Sequence, residues 1–182
     1  MLISRSDRGV LARWWFTVDR LLLTALFSAR REIILTTPYF VPSTILLGAL
    51  LCAVDRGVDV TLIIPTRIDS WLVRYASRAF QGDLQQLGVN IRLFDAGLLH
   101  TKSITIDGEV SLFGSVNLDP RSFILNFEIT LGVYDREVTQ SLRTLQQHYI
   151  AHSHTPDLTQ WQQRGVRMRL IENLARLVGP LL

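Results

Sequence analysis

The sequence predicts an α/β fold in which helices cover both faces of a mixed, mostly parallel β-sheet. Three observations carry this prediction. Strand-length apolar runs alternate with helix-length segments between residues 32 and 94. Gly57 and Gly88 follow two of the predicted helices, where a left-handed backbone is expected. The chain has 182 residues and is 48% apolar, which is ample for one buried core.

The first part of the chain alternates between helices and strands. Helices of this length between strands are typical of parallel pairing, because a parallel connection must cross the sheet. The first helix carries an apolar stripe that includes Leu22 and Leu26. The predicted elements are a helix over Val10–Arg30, a strand over 32–36, a helix over 43–55, a strand over 58–64, a helix over 69–87 and a strand over 90–94.

After Asp95 the pattern changes to short strands. Asp107-Gly108 is a tight-turn signal between two of them. The predicted elements here are strands over Thr101–Ile106, Val110–Phe113 and Phe127–Tyr134, and a helix over Arg136–Ala151. This divides the chain into an N-terminal helical segment (1–30), a lobe (31–155) and a C-terminal helical tail (156–182). The tail either packs on the lobe, which is favoured, or lies on a membrane as a basic amphipathic helix.

Composition and charge exclude several classes. The net charge of the chain is only +3, and its sequence lacks the dense basic stripe expected of a nuclease. Nucleic acid is therefore not the expected partner. Residues 33–54 are uncharged, but Pro38 and Pro42 interrupt them, so no membrane span is expected there. No signal peptide is visible. Cys52 is the only cysteine, which rules out an intrachain disulfide.

The candidate site lies between residues 100 and 128. His100 and Lys102 are two residues apart on a predicted strand, so both side chains should point to one face. Ser115 follows the next strand at a glycine bend, and Asn117 adds an amide. Glu128, on a later strand, either holds a histidine ring in one tautomer or pairs with Arg121.

These side chains suit transfer at a phosphodiester. The imidazole of His100 can act as nucleophile or proton donor at phosphorus, and fixed positive charge stabilises the equatorial oxygens. Lys102 is the only lysine among 19 basic residues, which suggests a pocket that admits a compact ammonium but not a guanidinium fork. No carboxylate cluster accompanies the motif, so neither a divalent metal nor a cofactor is expected. His148, His152 and His154 are interpreted as solvated side chains rather than a metal site.

The pattern His100-x-Lys102-x4-Asp107, followed by Gly114-Ser115-x-Asn117, resembles the signature of the phospholipase D superfamily. The flanking segments are similar to the C-terminal lobe of bacterial cardiolipin synthases. Two examples are Thr36-Thr-Pro-Tyr-Phe-Val-Pro42 and Asn117-Leu-Asp-Pro-Arg-Ser-Phe123. The resemblance runs from about Arg30 onward and implies a phospholipase D-like lobe.

The resemblance also implies roles. His100 would be one of two active-site histidines, with the acid role favoured over the nucleophile. Lys102 and Asn117 would bind phosphate oxygens with support from Ser115. Asp107 would be the motif aspartate, which is more often structural than chemical, and Glu128 would orient a histidine. The implied reaction transfers a phosphatidyl group between two phosphatidylglycerols through a phosphohistidine, and it releases cardiolipin and glycerol.

The sequence contains one such motif, whereas the family mechanism uses two histidines. The resemblance therefore implies a second phospholipase D-like lobe, supplied by homodimerisation or by another chain. It also implies peripheral association with the cytoplasmic face of the bacterial inner membrane. Two alternatives stay open at this point: a homodimeric phosphodiesterase or nuclease, and an inactive fragment. Tyr39 and Phe40 follow a strand end and either line the site entrance or pack in the core.

Overall fold

A computed structural model describes residues 20–119 and 129–178. The first helix is described over 20–28 only, and residues 10–19 of its predicted length lie outside the described ranges. The elements in chain order are α1 (20–28), β1 (Glu32–Thr36), α2 (Thr44–Asp55), β2 (Asp59–Pro65), α3 (Trp71–Gln86), β3 (Asn90–Phe94), β4 (Ser103–Ile106), β5 (Val110–Gly114), β6 (Thr130–Val133), α4 (Arg136–Ala151), β7 (Ser153–His154), α5 (Leu158–Gln162) and α6 (Val166–Val178).

The described strands form one mixed sheet in the order β6-β5-β4-β1-β2-β3-β7. The mixed α/β fold is confirmed, but the sheet is less parallel than predicted. Only β1–β2 and β2–β3 are parallel, whereas β1–β4, β4–β5, β5–β6 and β3–β7 are antiparallel. One antiparallel pair, β4–β5, follows from the tight turn at Asp107-Gly108, because a tight turn can join only antiparallel neighbours. The other three pair strands that are distant in the chain or joined by a long connection.

Helices lie on both faces of the sheet, as predicted. Neighbouring residues of a strand point to opposite faces, and β1 shows the division. Ile33 and Leu35 belong to the larger core, which α1, α2 and α3 cover. Ile34 belongs to a smaller core on the other face, where Tyr149 of α4 packs.

Local signals fix the element ends. Ser43 caps α2 and Ser70 caps α3, each accepting a backbone N–H of the first turn. Gly57 and Gly88 follow these helices with φ of 82° and 96°, as predicted. The predicted strand over Phe127–Tyr134 is described as Thr130–Val133, and residues 127–128 lie outside the described ranges.

The tail packs on the lobe, as favoured from the sequence. The indole of Trp161 in α5 fills the space that Gly82 leaves on α3, where a Cβ atom would collide with the ring. Glu172 of α6 is 1% exposed and accepts a hydrogen bond of 2.7 Å from Nε of Arg164. Among the described helices, none is long and apolar enough to cross a membrane. The division at residues 30 and 155 stays a prediction.

Candidate active site

His100 and Lys102 lie in the connection between β3 and β4, directly before β4 begins. Both were expected on a strand, but β4 begins at Ser103, so strand alternation does not bring them together. The lysine does so itself: its Nζ donates a hydrogen bond of 2.9 Å to the carbonyl oxygen of His100. The Lys102 carbonyl accepts from the Gly114 N–H at 3.2 Å. Lys102 therefore occupies the last rung of the β4–β5 ladder, beside an exposed imidazole.

The segment before Lys102 is anchored to α4 and to the smaller core. Leu99 is 2% exposed and packs with Ile34 and Phe94. The Oγ1 atom of Thr101 lies 3.0 Å from the Tyr149 hydroxyl oxygen, so the two side chains share a hydrogen bond. Anchors at residues 99 and 101 fix the backbone of His100 while its side chain stays open to solvent.

A buried amide holds the start of β4 from below. Gln146 of α4 is fully buried. Its Nε2 donates to the Ile34 carbonyl oxygen at 3.1 Å and to the Ser103 hydroxyl at 3.2 Å. Its Oε1 accepts from the Thr105 hydroxyl at 2.6 Å. Because buried polar groups are costly unless satisfied, this network fixes β1 and β4 in one register beneath the motif.

Ser115 clamps the chain that enters β6. Its backbone N–H donates to the Ile129 carbonyl oxygen at 2.9 Å, and its hydroxyl accepts from the Ile129 N–H at 3.0 Å. A Cβ atom on the preceding residue, Gly114, would lie 2.0 Å from that same carbonyl oxygen, so only glycine permits the approach. Ser115 is therefore held at the edge of the site, and its hydroxyl hydrogen can still be donated. Glu128 and Arg121 lie outside the described residues.

Asn117 has hydrogen-bonding capacity left. Its Oδ1 atom is buried and has no hydrogen-bond partner among residues 20–119 and 129–178, which is uncommon for a buried polar atom. The neighbouring Leu118 carbonyl accepts from the Val41 N–H at 3.1 Å, which ties this segment to the loop after β1. Lys102 and Leu118 line one small crevice of about 30 Å³. The structure thus brings Lys102 beside the 114–118 segment, although the side chains of Ser115 and Asn117 do not line this crevice and His100 lines a different cavity.

Asp107 is not brought to this group. It lies at the opposite end of β4 from Lys102, roughly 16 Å away at the rise of an extended strand. Its carboxylate accepts backbone hydrogen bonds from Arg30, Arg31 and Glu32, at 3.0, 2.8 and 3.0 Å. Burial alone would raise the pKa of Asp107, but these three donors and the charge of Arg31 hold that pKa below its usual value. The geometry gives this carboxylate a structural task.

A cleft of about 560 Å³ opens beside His100. It lies at the carboxyl ends of the parallel strands β1, β2 and β3, the edge at which open α/β sheets bind ligands. Tyr39 lines it, as one interpretation of the sequence expected, whereas Phe40 is fully buried in the core. The lining comprises Pro38, Tyr39, Pro65, Thr66, Arg67, Ile68, Asp69, Phe94, Asp95, Gly97, Leu98, Leu99 and His100.

Sequence reasoning missed Arg67 and Asp69. Both are exposed in this cleft, directly after β2. The signal was available, because polar residues that follow a parallel strand lie at the ligand-binding edge. The third charged residue of the cleft, Asp95, has its carboxylate 3.1 Å from Nδ1 of His154. Arginine and carboxylate side chains together offer hydrogen bonds for both a phosphate and a hydroxyl group.

Within residues 20–119 and 129–178, no three histidine, cysteine, aspartate or glutamate side chains are placed to hold a metal ion. The rings of His148 and His152 lie against each other at the end of α4, tilted by 41° with centroids 4.3 Å apart. His154 faces Asp95 instead, so the three histidines named above do not converge.

Comparison with known proteins gives consistent matches. The family model described as cardiolipin synthase, PLD-like domain matches residues 22–150. Cardiolipin synthase A of Erwinia tasmaniensis is 50% identical over 165 residues, which are 91% of this chain and 34% of that protein. Cardiolipin synthase A of Proteus mirabilis is 47% identical over the same share of each chain. The chain therefore spans about a third of the length of these relatives.

Solved structures match in fold. Nuc of Salmonella typhimurium, a phospholipase D family member, superposes with a TM-score of 0.68 at 22% identity, over 76% of this chain and 90% of Nuc. The phosphatidylserine synthase of Haemophilus influenzae superposes with a TM-score of 0.70 at 18% identity, over 91% of this chain and 45% of the synthase. The same lobe thus forms nearly all of one chain and about half of another.

Proposed function

The chain belongs to the cardiolipin synthase, PLD-like domain family, and on that premise we propose that it is one lobe of a phosphatidyltransferase that makes cardiolipin. The proposed donor and acceptor are both phosphatidylglycerol. No metal or cofactor enters the proposed chemistry, because the histidines supply the nucleophile and the proton, and fixed cations stabilise the charge on phosphorus.

The proposed reaction has two steps. A histidine nitrogen attacks the phosphorus of the first phosphatidylglycerol, and the bond to its head-group glycerol breaks as a second histidine protonates the leaving oxygen. The resulting phosphatidyl-histidine is then attacked by a head-group hydroxyl of the second phosphatidylglycerol. The second histidine takes the hydroxyl proton, the bond from phosphorus to histidine breaks, and cardiolipin leaves. One glycerol is released for each cardiolipin formed.

The single observation that carries the proposal is the position of the Lys102 ammonium. It lies 2.9 Å from the backbone carbonyl oxygen of His100, whose exposed imidazole lines a cleft of about 560 Å³. A fixed cation close to an exposed imidazole can stabilise the negative charge that develops on the oxygens of a phosphoryl group during its transfer. It does not suit a core histidine, which would be buried and hydrogen-bonded.

We also propose roles for the other side chains of the site. We assign His100 the acid role, because its ring is open to the cleft from which an alcohol leaves or enters. Lys102 and the Nδ2 amide group of Asn117 would donate to the non-bridging oxygens, and Ser115 would hold that segment in place. Asp107 would act only by fixing the far end of β4. Glu128 keeps its proposed role of orienting a histidine.

A second lobe is part of the proposal. Two histidines must reach one phosphorus, and the 182 residues contain one His-x-Lys-x4-Asp motif. The second histidine would come from another phospholipase D-like lobe facing the cleft edge, either a copy of this chain or a separate one. We propose that the assembled site lies at the cytoplasmic surface of the membrane. Phosphatidylglycerol molecules of that membrane would serve as both donor and acceptor.

The test is cardiolipin formation from phosphatidylglycerol vesicles. The chain would be assayed alone and after it replaces the matched 165-residue segment in Cardiolipin synthase A of Erwinia tasmaniensis. We expect the hybrid to be active and to lose at least about 100-fold in rate on His100→Ala. His152→Ala, which removes an exposed histidine at the end of α4, is the matched control and should retain the rate.

Each arm of that assay decides something. An inactive hybrid whose thermal melting matches the parent enzyme would overturn the assignment. Activity of the chain alone, lost in the His100→Ala variant, would identify the second lobe as another copy of the same chain.

The second candidate function is a homodimeric phosphodiesterase. It is favoured by one observation, the match over 90% of the Nuc chain, since this fold can stand alone in a polypeptide. Hydrolysis of a soluble phosphodiester by the chain alone, with no cardiolipin from the hybrid, would replace the first proposal by this one. If neither the chain alone nor the hybrid acted on either substrate, the remaining interpretation would be that the chain is an inactive fragment.

A further inference from the structure

The outward face of α6 carries an exposed apolar stripe. Its large side chains are largely exposed: Val166 by 81%, Leu170 by 60%, Leu174 by 54% and Leu177 by 75%. Their spacing of four, four and three residues places them on one side of the helix. With a rise of about 1.5 Å per residue, the stripe runs for roughly 17 Å. Single exposed leucines are normal on a protein surface, but a contiguous stripe of this kind marks an interaction site.

The helix cannot turn this stripe inward. Its opposite face is fixed on α3 by Ala175, which is 3% exposed, and by the buried Glu172. Besides its bond to Arg164, Glu172 lies 3.7 Å from Nε of Arg78 in α3. Arg176 adds an ion pair of 2.9 Å with Asp83. Rotation of α6 would leave the Glu172 carboxylate buried without its cations, which is strongly unfavourable.

The charges beside the stripe have one sign. Arg167 and Arg169 are exposed and flank the leucines. Glu172 is the only acidic residue in α6 and it is buried, so the exposed charges of the helix are all cationic; Asn173 adds one exposed neutral polar group. Arginine beside leucine on one helical face is the pattern of helices that lie in a membrane interface and bind anionic lipid.

We propose that the outer face of α6 docks the lobe on an anionic lipid surface. The stripe would enter the head-group region while Arg167 and Arg169 contact lipid phosphates. The second lobe is a poorer occupant of this face, because the two-histidine chemistry needs that lobe beside His100, and no described residue of α6 lines the His100 cleft. The inference rests on the proposed function only in that both place the chain at a phosphatidylglycerol membrane.

The test is sedimentation of the full chain with vesicles of phosphatidylglycerol or of phosphatidylcholine. The chain should bind the first at least about tenfold more tightly, and added salt should weaken that binding. Leu170→Ser with Leu174→Ser should reduce binding at least about tenfold. The matched control is Val138→Ser with Leu145→Ser, which alters two exposed apolar residues of α4 across the sheet and should bind normally.

Thermal melting of both double variants shows that they fold, since all four positions are exposed. Equal vesicle binding by the Leu170/Leu174 variant and the parent chain would overturn the proposal. So would a parent chain that associates with itself through this face and becomes monomeric in that variant without a change in vesicle binding. Binding is measured without turnover and His100→Ala should retain it, so failure of the docking proposal and failure of the transferase proposal give different results.

Discussion

The two ends of β4 carry the two halves of one sequence motif, and they differ in almost every physical respect. At the end beginning with Ser103, His100 is exposed beside a cleft and Lys102 bonds a neighbouring carbonyl. At the other end, Asp107 accepts three backbone N–H groups, and Gln140 donates to the carbonyl of Gly108 at 2.9 Å. At the Ser103 end, the exposed imidazole of His100 can still bind a ligand. At the Asp107 end, the carboxylate of Asp107 and the carbonyl of Gly108 accept hydrogen bonds from within the fold.

The difference teaches that residues of one motif need not share a task. The Asp107 end closes a turn in which Asp107 and Gly108 have φ of 54° and 69°, and it ties β4 to the start of β1. That fixes β4 against β1, and the buried Gln146 continues the same alignment toward the site. We therefore expect changes at the first end to affect rate and changes at the second end to affect stability.

The largest expected effect is at Lys102. In the active hybrid enzyme, Lys102→Met should lower the rate of transfer about 100- to 1000-fold, because it removes a fixed cation from the phosphoryl site. Lys102→Arg should also lose most of the rate, since a guanidinium fork cannot replace a compact ammonium in a tight pocket. Rates with phosphatidylglycerol vesicles and melting temperatures of both variants measure this. Full activity of the arginine variant would contradict the steric part of the prediction.

The next effect belongs to the other end. Asp107→Asn should lower the free energy of unfolding by about 1–3 kcal/mol, because an amide is a weaker acceptor for three backbone N–H groups. Asparagine tolerates the left-handed backbone of this position, so the change tests the charge rather than the turn. Urea unfolding measures it, and the rate per folded molecule should stay within about threefold. If Asp107→Asn lowered the rate as much as Lys102→Met and left the stability unchanged, the proposed difference between the two ends of β4 would be wrong.

The pH dependence sharpens the same prediction. The pKa of Asp107 is lowered from 3.8 in the folded protein, so its stabilisation is complete above that pH. It is lost as the pH falls below 3.8 through the folded pKa, because both states then bind the proton. The stability difference between the parent and Asp107→Asn should therefore be constant near neutral pH and shrink only in strong acid. Shrinkage already between pH 5 and 7 would require a raised pKa instead.

How far the sequence predicts the molecule follows the same division. Strands β1 to β3, their helices and the glycines after α2 and α3 were predictable, because each rests on local periodicity and backbone preference. The balance of parallel and antiparallel pairs was not, since pairing depends on which strands meet across the sheet. The role of His100 and Lys102 at the site stays a prediction, and the strand expected to carry them begins only at Ser103.

Side chains that contact the motif from distant parts of the chain could not be predicted. Gln146 and Tyr149 are 43 and 48 positions away from the residues that they bond, Ser103 and Thr101. Nothing in a glutamine or a tyrosine on an amphipathic helix marks it as a support for the segment that carries His100 and Lys102. Arg67 was predictable in principle from its place after a parallel strand, yet only the structure showed that it lines the same cleft as His100.

The smallest expected effect concerns one of these supports. Tyr149→Phe removes the hydroxyl that lies 3.0 Å from Oγ1 of Thr101 and keeps the ring, which packs edge-on against Phe94 with centroids 5.2 Å apart. The lost bond is worth about 1 kcal/mol, so stability should change little. The rate of transfer should fall about three- to tenfold, because the backbone on either side of Thr101 carries His100 and Lys102. Thr101→Val should give the same decrease, and the double variant no further loss, since both changes delete one interaction. Additive losses in the double variant would show that Tyr149 acts through something other than Thr101.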